Sequence, residues 1–309
     1  MADINYSIII PHKNSSKLLE RCILSIPIQR GDIEILVVDD NSTEEHQVYL
    51  EKIGNLSSRI SIIFAPDGKG AGYARNIGLQ NIVGKWVVFA DADDYFVEKA
   101  FESFDKNVSK DYGVIYFKHK SVYSDTGKDC ERFSIRNELI DLYIRNSNSR
   151  NEYSLRLKDI TPWAKIFNHK LIIEKKVKFD EVSASNDVTF VSHVAFYSSK
   201  IKACEDVCYV CTYRPGSITR VQSKENMFSR YLVAVRYNNF VEQSGYSEYR
   251  FRLLSYIIKA YRFWGASEAV RYIKTARSYK ANIFANVLPA FSEILKKVQK
   301  IWKRHSYSA

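Results

Sequence analysis

The chain has 309 residues, of which 46% are hydrophobic and 26% charged, an ordinary composition for a globular protein. No run of about 18 apolar residues occurs, which excludes a membrane-spanning helix, and the N-terminus lacks a basic segment followed by a long apolar core, so we expect no signal peptide. The net charge of +11 lies mostly at one end: residues 225–309 carry 15 Lys/Arg and 5 Asp/Glu, whereas residues 1–224 carry 31 and 30, which predicts a nearly neutral working domain followed by a basic extension.

Short apolar runs alternate with helical patterns over the first 120 residues. Continuously apolar, β-branched runs are typical of strands that are covered on both faces, and they occupy Tyr6–Ile10, Ile33–Asp39, Ile60–Ala65 and Lys85–Ala90. The segments Ser16–Ile26, Thr43–Ile53 and Gly72–Ile82 predict helices between them, and Ser42 with Glu45 predicts a capping box for the second. This alternation predicts an α/β fold, a Rossmann-like and mostly parallel sheet flanked by helices.

Polar residues follow each predicted strand, where ligands bind in parallel sheets. The densest group is Asp91, Asp93 and Asp94 after the fourth strand, and Asp39 and Asp40 end a neighbouring strand. Crowded carboxylates repel one another, so a divalent cation, Mg²⁺ or Mn²⁺, is the expected partner. The alternative is that Asp94 caps a helix beginning near Val97 while the other two are solvated.

A glycine-rich loop, GKGAGYA at residues 68–74, precedes the third predicted helix. It matches neither the Rossmann dinucleotide fingerprint nor the Walker A motif. Lys69 and Arg75 still place cations near a helix N-terminus, which is a suitable site for a phosphate.

Four segments in order, SIIIPHKN, ILVVDDNST, GAGYARNIGL and WVVFADADDYF, resemble family-2 glycosyltransferases of the GT-A fold, which are inverting enzymes using nucleotide-sugar donors. The likeness continues weakly at 162–172, 178–190 and 209–219. It implies a UDP-sugar donor and a divalent metal. It also implies donor contacts, in which Pro11, His12 and Asn14 line the base and ribose pocket, Asp40 holds the uracil, Arg75 lies beside the donor, Asp91 faces the ribose and Asp93 ligates the metal.

The same resemblance implies a catalytic base. The family usually has Glu-Asp at a helix start, and this chain has Asn186 and Asp187 there, so Asp187 is the expected base and Asn186 is a departure that affects acceptor contacts. The alternative is that Asp187 is an ordinary carboxylate at a helix N-terminus. Further expected contacts to the acceptor or diphosphate are Asp94, Trp163, Lys165, Arg214 and Ser217, although the last two are also compatible with a surface turn.

Cys204, Cys208 and Cys211 have a spacing that can hold an iron–sulfur cluster. They lie in a segment that alternates like a strand pair, so we predict buried thiols instead. Five cysteines without an export signal also indicate reduced thiols in the cytosol.

The C-terminal region predicts an amphipathic helix with one apolar seam, formed by Phe284, Leu288, Phe291, Leu295, Val298 and Trp302. The upstream segment 251–264 mixes apolar, aromatic and basic residues in a similar way. Such C-terminal helices, with lysines off the seam, suit an anionic membrane surface. Packing of the seam on the catalytic domain or on a second copy, giving a homo-oligomer, is equally compatible. No motif supports nucleic-acid binding.

These observations predict a GT-A transferase domain at residues 1–222 and a basic helical extension at 223–309. The expected activity is metal-assisted, inverting transfer from a UDP-sugar to a glycan or lipid-linked acceptor in bacterial surface-polysaccharide synthesis. We expect a cytoplasmic protein, peripheral to the inner face of the plasma membrane. The alternatives are a phosphatase using Asp91 and Asp93, and a non-catalytic membrane adaptor that retains the fold.

Overall fold

A computed structural model describes residues 3–214 and 223–285. The chain divides into two compact units, residues 1–221 and 222–309. The first contains the predicted alternation of strands and helices. Its strands are β1 (Tyr6–His12), β2 (Ile33–Asp39), β3 (Ile60–Phe64), β4 (Trp86–Phe89), β5 (Tyr95–Phe96), β6 (Val114–Tyr123), β7 (Lys165–Asn168) and β8 (Ile201–Tyr213). Its helices are α1 (Ser16–Leu24), α2 (Glu44–Gly54), α3 (Ala71–Gln80), α4 (Ala100–Asn107), α5 (Ser134–Arg145), α6 (Ser149–Lys158), α7 (His169–Lys175) and α8 (Val188–Tyr197).

The described strands form one sheet in the order β3-β2-β1-β4-β7-β6-β8-β5. The first four strands of this order are parallel, with Ile8 opposite both Ile35 and Val88. Strand β7 enters antiparallel between β4 and β6, and β5 is an antiparallel edge strand on β8. The predicted mixed α/β fold with a mostly parallel sheet is therefore confirmed. Because β1, β2 and β4 are parallel, their carboxyl ends meet at one edge.

Helices cover both faces of this sheet, which explains why its central strands are continuously apolar. Ile8 and Ile10 of β1 pack on one face against Leu19 and Cys22 of α1. Ile9 points the other way, into a core with aromatic and aliphatic residues of β4 and α8. Successive strand residues alternate between faces, so burial of both faces demands an apolar residue at every position.

The capping box predicted for α2 is wrong. The helix begins at Glu44, with Thr43 at the N-cap position and no side-chain cap hydrogen bond. The Ser42 hydroxyl donates instead to Asp39 Oδ1, at 2.5 Å. The Ser42 oxygen in turn accepts the Asn14 backbone N–H at 2.9 Å, so tertiary contacts occupy this hydroxyl and override the local capping signal.

The cysteine-rich segment forms one long strand, β8, rather than a strand pair. Cys204, Cys208 and Cys211 are buried free thiols, as predicted. Among residues 3–214 and 223–285, no group of three or more His, Cys, Asp and Glu side chains is placed to hold a metal on its own.

The second unit is helical, which confirms the predicted C-terminal helices. Its described residues form α9 (Lys224–Gln243), a 3-10 turn at Ser247–Tyr249, α10 (Leu253–Trp264) and α11 (Ala266–Ser278). Its core centres on Tyr231, whose hydroxyl donates to the Tyr272 carbonyl at 3.0 Å. Across the described ranges, no helix has both the length and the apolar character to cross a membrane. Of the predicted seam, only Phe284 is described, and it lies exposed in a turn; the remainder lies outside the described residues.

Candidate active site

The loops after β1 and β2 are joined by a buried hydrogen-bond network around Asp39. His12 Nε2 accepts the Ser15 backbone N–H at 3.1 Å, so its Nδ1–H donates to Asp39 Oδ1 at 2.8 Å. Burial opposes ionisation of Asp39, but hydrogen bonds from His12 and Ser42 outweigh it and hold the Asp39 pKa below its usual value. The structure therefore places His12 in the scaffold of the site, with its ring fully enclosed.

Asn14 belongs to the same scaffold. Its backbone N–H donates to the Ser42 hydroxyl at 2.9 Å, and its side chain accepts the Thr43 N–H at 2.9 Å. Asn14 has a φ of 49°, in the left-handed region that Asn tolerates better than most residues. Pro11, the penultimate residue of β1, is partly exposed near the ligand edge.

Asp40 connects the second loop with the glycine-rich loop. Its Oδ1 accepts the Gly70 N–H at 2.9 Å, directly before α3, and its Oδ2 lies 3.3 Å from Lys13 Nζ. Lys13 is exposed, so a bound ligand could displace it from Asp40 Oδ2. Lys69 is also exposed and pairs with Asp67 at 2.7 Å.

The three carboxylates after β4 have two different environments. Asp91 and Asp93 are partly open, with side chains 36% and 27% exposed. Asp94 is buried and accepts the Thr212 backbone N–H at 2.7 Å. Burial raises the Asp94 pKa well above its usual value, and the nearby Asp93 and Asp91 add to this. Asp94 therefore anchors the segment from Asp91 to Asp94 on β8, while the Asp91 and Asp93 carboxylates stay partly exposed.

Backbone contacts keep the open pair in place. The Asp91 N–H donates to the Tyr209 hydroxyl at 2.9 Å. The Asp93 carbonyl accepts from Arg21 and from Thr212. Burial, and then the neighbouring Asp91, raise the pKa of the Asp93 carboxyl. Its Oδ2 lies 3.1 Å from Arg214, the last described residue before the gap, and Ser217 lies outside the described residues.

Arg75 joins this carboxylate pair to the segment before α8. Its Nη2 donates to Asp91 Oδ1 at 2.6 Å, and its Nη1 donates to Asn186 Oδ1 at 2.8 Å. Asn186 is 111 residues further along the chain, so the contact is purely tertiary. It brings Asp91 and the neighbour of Asp187 to opposite ends of one planar guanidinium.

Asp187 is half-buried at the N-cap position of α8, and its side chain makes no capping hydrogen bond. Burial raises its pKa, with Asp91 contributing in the same direction, while the Arg75 and Lys165 charges partly offset the shift. The carboxylate is thus not committed to the helix terminus. A carboxylate with a raised pKa beside a cationic site is suited to accept a proton.

Trp163 and Lys165 lie in the core, where they cannot touch a bound sugar. The Lys165 side chain is fully buried and donates to Asp159 Oδ1 at 2.8 Å and to the Thr161 carbonyl at 2.7 Å. The Trp163 ring stacks on Tyr209, with centroids 5.3 Å apart. Both residues therefore belong to the packed core that supports the site.

Sequence reasoning missed two residues that hold the Asp187 segment. Asn76 donates to the Phe179 carbonyl at 3.0 Å and accepts the Phe179 N–H at 2.9 Å. A Cβ at Gly72 would lie 2.1 Å from the Asp180 carbonyl oxygen, so only glycine permits this approach. The buried side of α3 carrying Arg75 and Asn76 was the available signal, because polar residues on a core face need partners.

The open carboxylates fit a divalent cation. Asp91 and Asp93 offer hard oxygen donors at the ligand edge, and Mg²⁺ commonly takes one or two carboxylates with substrate phosphates completing its shell. Asp91 and Asp93, both partly exposed, would supply the two carboxylates of such a shell.

Comparisons with known proteins agree with this geometry. Residues 7–174 match the family model described as Glycosyl transferase family 2. The chain is 26% identical over 243 residues to the Streptococcus pneumoniae glycosyltransferase GlyA, covering 74% of this chain but 33% of GlyA. It is 26% identical over 220 residues to TarS, a poly(ribitol-phosphate) β-N-acetylglucosaminyltransferase of Staphylococcus aureus, covering 69% of this chain and 36% of TarS. The chain thus spans about a third of the length of both relatives.

Two solved structures share the fold. The crystal structure of S. aureus TarS in complex with UDP-GlcNAc superposes with a TM-score of 0.65 at 21% identity, covering 89% of this chain and 80% of that one. The mannosyltransferase PcManGT from Pyrobaculum calidifontis, in complex with GDP-Man and Mn²⁺, gives a TM-score of 0.55 at 16% identity, covering 98% and 84%. These likenesses show the GT-A arrangement of the sheet and its helices.

Proposed function

The chain belongs to glycosyl transferase family 2, and on that premise we propose that it transfers one sugar from a UDP-sugar to a hydroxyl of a glycan or lipid-linked acceptor in bacterial surface-polysaccharide synthesis. Family membership favours glycosyl transfer over the phosphatase alternative. The UDP-sugar is supported by TarS, which was solved with UDP-GlcNAc. The polysaccharide context is supported by the name of TarS, whose acceptor is poly(ribitol-phosphate).

One observation carries the proposal: Arg75 bridges Asp91 and Asn186, at 2.6 and 2.8 Å. Transfer needs the leaving diphosphate and the acceptor hydroxyl on two sides of one anomeric carbon. Asp91 belongs to the donor side, and Asn186 precedes the proposed base on the acceptor side. A single rigid guanidinium therefore sets the distance between the two halves of the reaction.

The donor nucleotide would lie over the loops after β1 and β2. Pro11 would line the base pocket, and Asp40 Oδ2 would accept from the uracil ring after Lys13 moves away. His12 and Asn14 would keep these loops in shape, because their hydrogen bonds are already committed to Asp39, Ser42 and their neighbours. Lys69 and Arg214 are exposed cations for the diphosphate. Buried Asp94 would hold the carboxylates of Asp91 and Asp93 in position through its hydrogen bond to the β8 backbone.

Asp91 and Asp93 would hold the Mn²⁺ or Mg²⁺ ion. When bound, that ion neutralises charge developing on the departing nucleoside diphosphate. Backbone hydrogen bonds to Tyr209, Arg21 and Thr212 hold Asp91 and Asp93 in place, and these bonds do not use the carboxylate oxygens that would bind the ion. PcManGT, solved with Mn²⁺, supports this assignment.

Asp187 would act as the base. Its carboxylate takes the proton of the acceptor hydroxyl while that oxygen forms a bond to the anomeric carbon, and the bond from this carbon to the diphosphate oxygen breaks. Attack from the face opposite the leaving group inverts the configuration, so an α-linked UDP-sugar gives a β-glycoside. Asn186, and Ser217 in the loop outside the described residues, are proposed to contact the acceptor or diphosphate.

The proposal is tested by incubating the purified chain with a panel of UDP-sugars and Mn²⁺ or Mg²⁺, with and without a chelator. We expect release of UDP from at least one sugar, dependent on the metal. Asp111→Asn, which changes an exposed carboxylate away from the ligand edge, serves as the control and should behave like the unaltered chain. Release of phosphate from a simple phosphomonoester, without UDP release from any sugar, would instead favour the phosphatase. The cytoplasmic, membrane-peripheral location remains a prediction.

A further inference from the structure

Helix α10 has an exposed apolar stripe. Leu254, Ile258 and Tyr261 are spaced by four and three residues, which places them on one side of the helix. Ile258 is 49% exposed and Tyr261 is 59% exposed, while Leu254 is partly covered. The adjoining side of the helix, one residue and therefore about 100° away, carries Leu253, Ile257 and Ala260, which pack into the core of the second unit. The residues of the stripe are therefore different from those that pack α10 into the core of its unit.

Basic side chains lie beside this stripe. Lys259 and Arg262 are exposed and follow Ile258 and Tyr261 directly in the chain, so they flank the stripe around the helix. The helix contains no acidic residue, and Phe263 adds a further aromatic ring that is 59% exposed. An exposed helical face with apolar, aromatic and basic residues is typical of helices that lie in a membrane interface.

The surrounding charge has the same sign. Residues 223–285 carry 11 Lys/Arg and 4 Asp/Glu. Glu268 is already paired with Lys224 and Arg271, and Glu242 with Arg250. The remaining acidic residues cannot balance the exposed cations, so this unit presents a positive field to its surroundings.

We infer that the exposed face of α10, formed by Leu254, Ile258, Lys259, Tyr261 and Arg262, docks on an anionic lipid surface. The apolar side chains would enter the headgroup region, while the two cations would reach outward to lipid phosphates along their own apolar stems. A second copy of the chain fits this face less well. A two-fold interface would bring this patch against the same patch of the other copy, and both patches carry Lys259 and Arg262 with no acidic residue of α10 to pair with them.

The sequence predicts membrane contact for the C-terminal helices in general, and the structure narrows that contact to one exposed face of α10, apart from the seam. This docking role is independent of the transfer reaction, since none of the five residues belongs to the proposed active site.

The test is co-sedimentation of the full chain with two kinds of vesicle, pure phosphatidylcholine and phosphatidylcholine containing roughly one third phosphatidylglycerol. We expect binding to the anionic vesicles only. The double change Ile258→Ser with Tyr261→Ser, and separately Lys259→Gln with Arg262→Gln, should each weaken that binding by roughly tenfold or more. The control is Val83→Ser with Tyr197→Ser, two exposed apolar residues of the first unit, which should not change it.

Thermal unfolding and UDP affinity of each variant should match the unaltered chain, which separates a docking role from a folding role. Four results would overturn the inference. The chain could bind both vesicle types equally, or fail to bind either. The α10 changes could leave binding intact while Leu295→Ser with Val298→Ser abolishes it. The α10 changes could alter the oligomeric state in sizing experiments, which would identify a second copy as the occupant.

Discussion

Asn76 holds both backbone polar groups of Phe179, donating to its carbonyl at 3.0 Å and accepting its N–H at 2.9 Å. The two residues are 103 positions apart in the chain. Phe179 in turn stacks on Phe190 of α8, with ring centroids 4.0 Å apart. This contact fixes the start of the segment that ends at Asp187, so the position of the proposed base depends on a residue of α3.

Asn76→Ala should lower both stability and turnover. Two buried backbone groups lose their partner, which we expect to reduce the free energy of unfolding by about 2–4 kcal/mol. At temperatures where the variant is folded, kcat should fall more than UDP affinity, since the donor side keeps its own contacts. Asn81→Ala is the matched control, because Asn81 ends the same helix and its side chain only bonds the exposed Ile77 carbonyl. Equal effects of the two changes would contradict the role of Asn76.

Gly72→Ala tests the close packing of α3 on the same segment. The added Cβ would lie 2.1 Å from the Asp180 oxygen and 2.9 Å from Asn186 Cβ, so the segment must move. We expect a loss of about 1–3 kcal/mol in the free energy of unfolding and a fall in kcat. Gly31→Ala is the control, since its nearest atom would be 3.8 Å away. Chemical denaturation measures the first effect, and full activity in the Gly72 variant would show that the segment need not stay fixed.

Asp93→Ala should abolish metal-dependent UDP binding without unfolding the chain. Its carbonyl contacts to Arg21 and Thr212 survive the change, and only the side-chain pair with Arg214 is lost. Calorimetry with UDP and Mn²⁺ measures the affinity, and a melting curve confirms the fold. Asp94→Ala should instead lower the melting temperature, because Asp94 bonds the backbone of β8. Undiminished metal-dependent binding by the Asp93 variant would refute the metal assignment.

Asp187→Asn should separate binding from chemistry. The amide has nearly the same size but cannot accept the proton, so turnover should fall by roughly 10²–10⁴-fold while UDP affinity stays nearly unchanged. Asn186→Ala should cost far less, mainly through acceptor binding and the lost Arg75 contact. Steady-state kinetics with saturating donor distinguishes the two. Near-normal turnover in Asp187→Asn would mean that another group is the base.

The raised pKa of Asp187 predicts the acid limb of the pH–rate profile. A base must be ionised, so kcat/KM should fall as pH drops through this pKa, and burial places that limb above the value of about 4 for an ordinary Asp. UDP affinity should be measured over the same range, since Asp93, the proposed metal ligand, also has a raised pKa. A limb at the ordinary value, after correction for donor binding, would exclude Asp187.

The sequence alone determined the class of fold and the edge of the sheet at which its carboxylates gather. Apolar runs such as Tyr6–Ile10 and Trp86–Phe89 must be buried on both sides, and alternation with helices then makes the sheet parallel. Carboxylates that follow such strands necessarily gather at one edge, which identified Asp40, Asp91 and Asp93 before any coordinates. These inferences hold because they depend on local periodicity and chain direction.

The tertiary structure decided which polar side chains are open to a ligand and which are already hydrogen-bonded inside the protein. Ser42 resembles a helix cap but bonds Asp39, and Lys165 resembles a ligand contact but lies buried against Asp159. Arg75 and Asn186 meet across 111 residues. The insertion of β7 between β4 and β6 also has no local signal. The physical reason is that hydrogen bonds and burial are satisfied by whichever group the folded chain brings near, and residue type and spacing do not encode that partner.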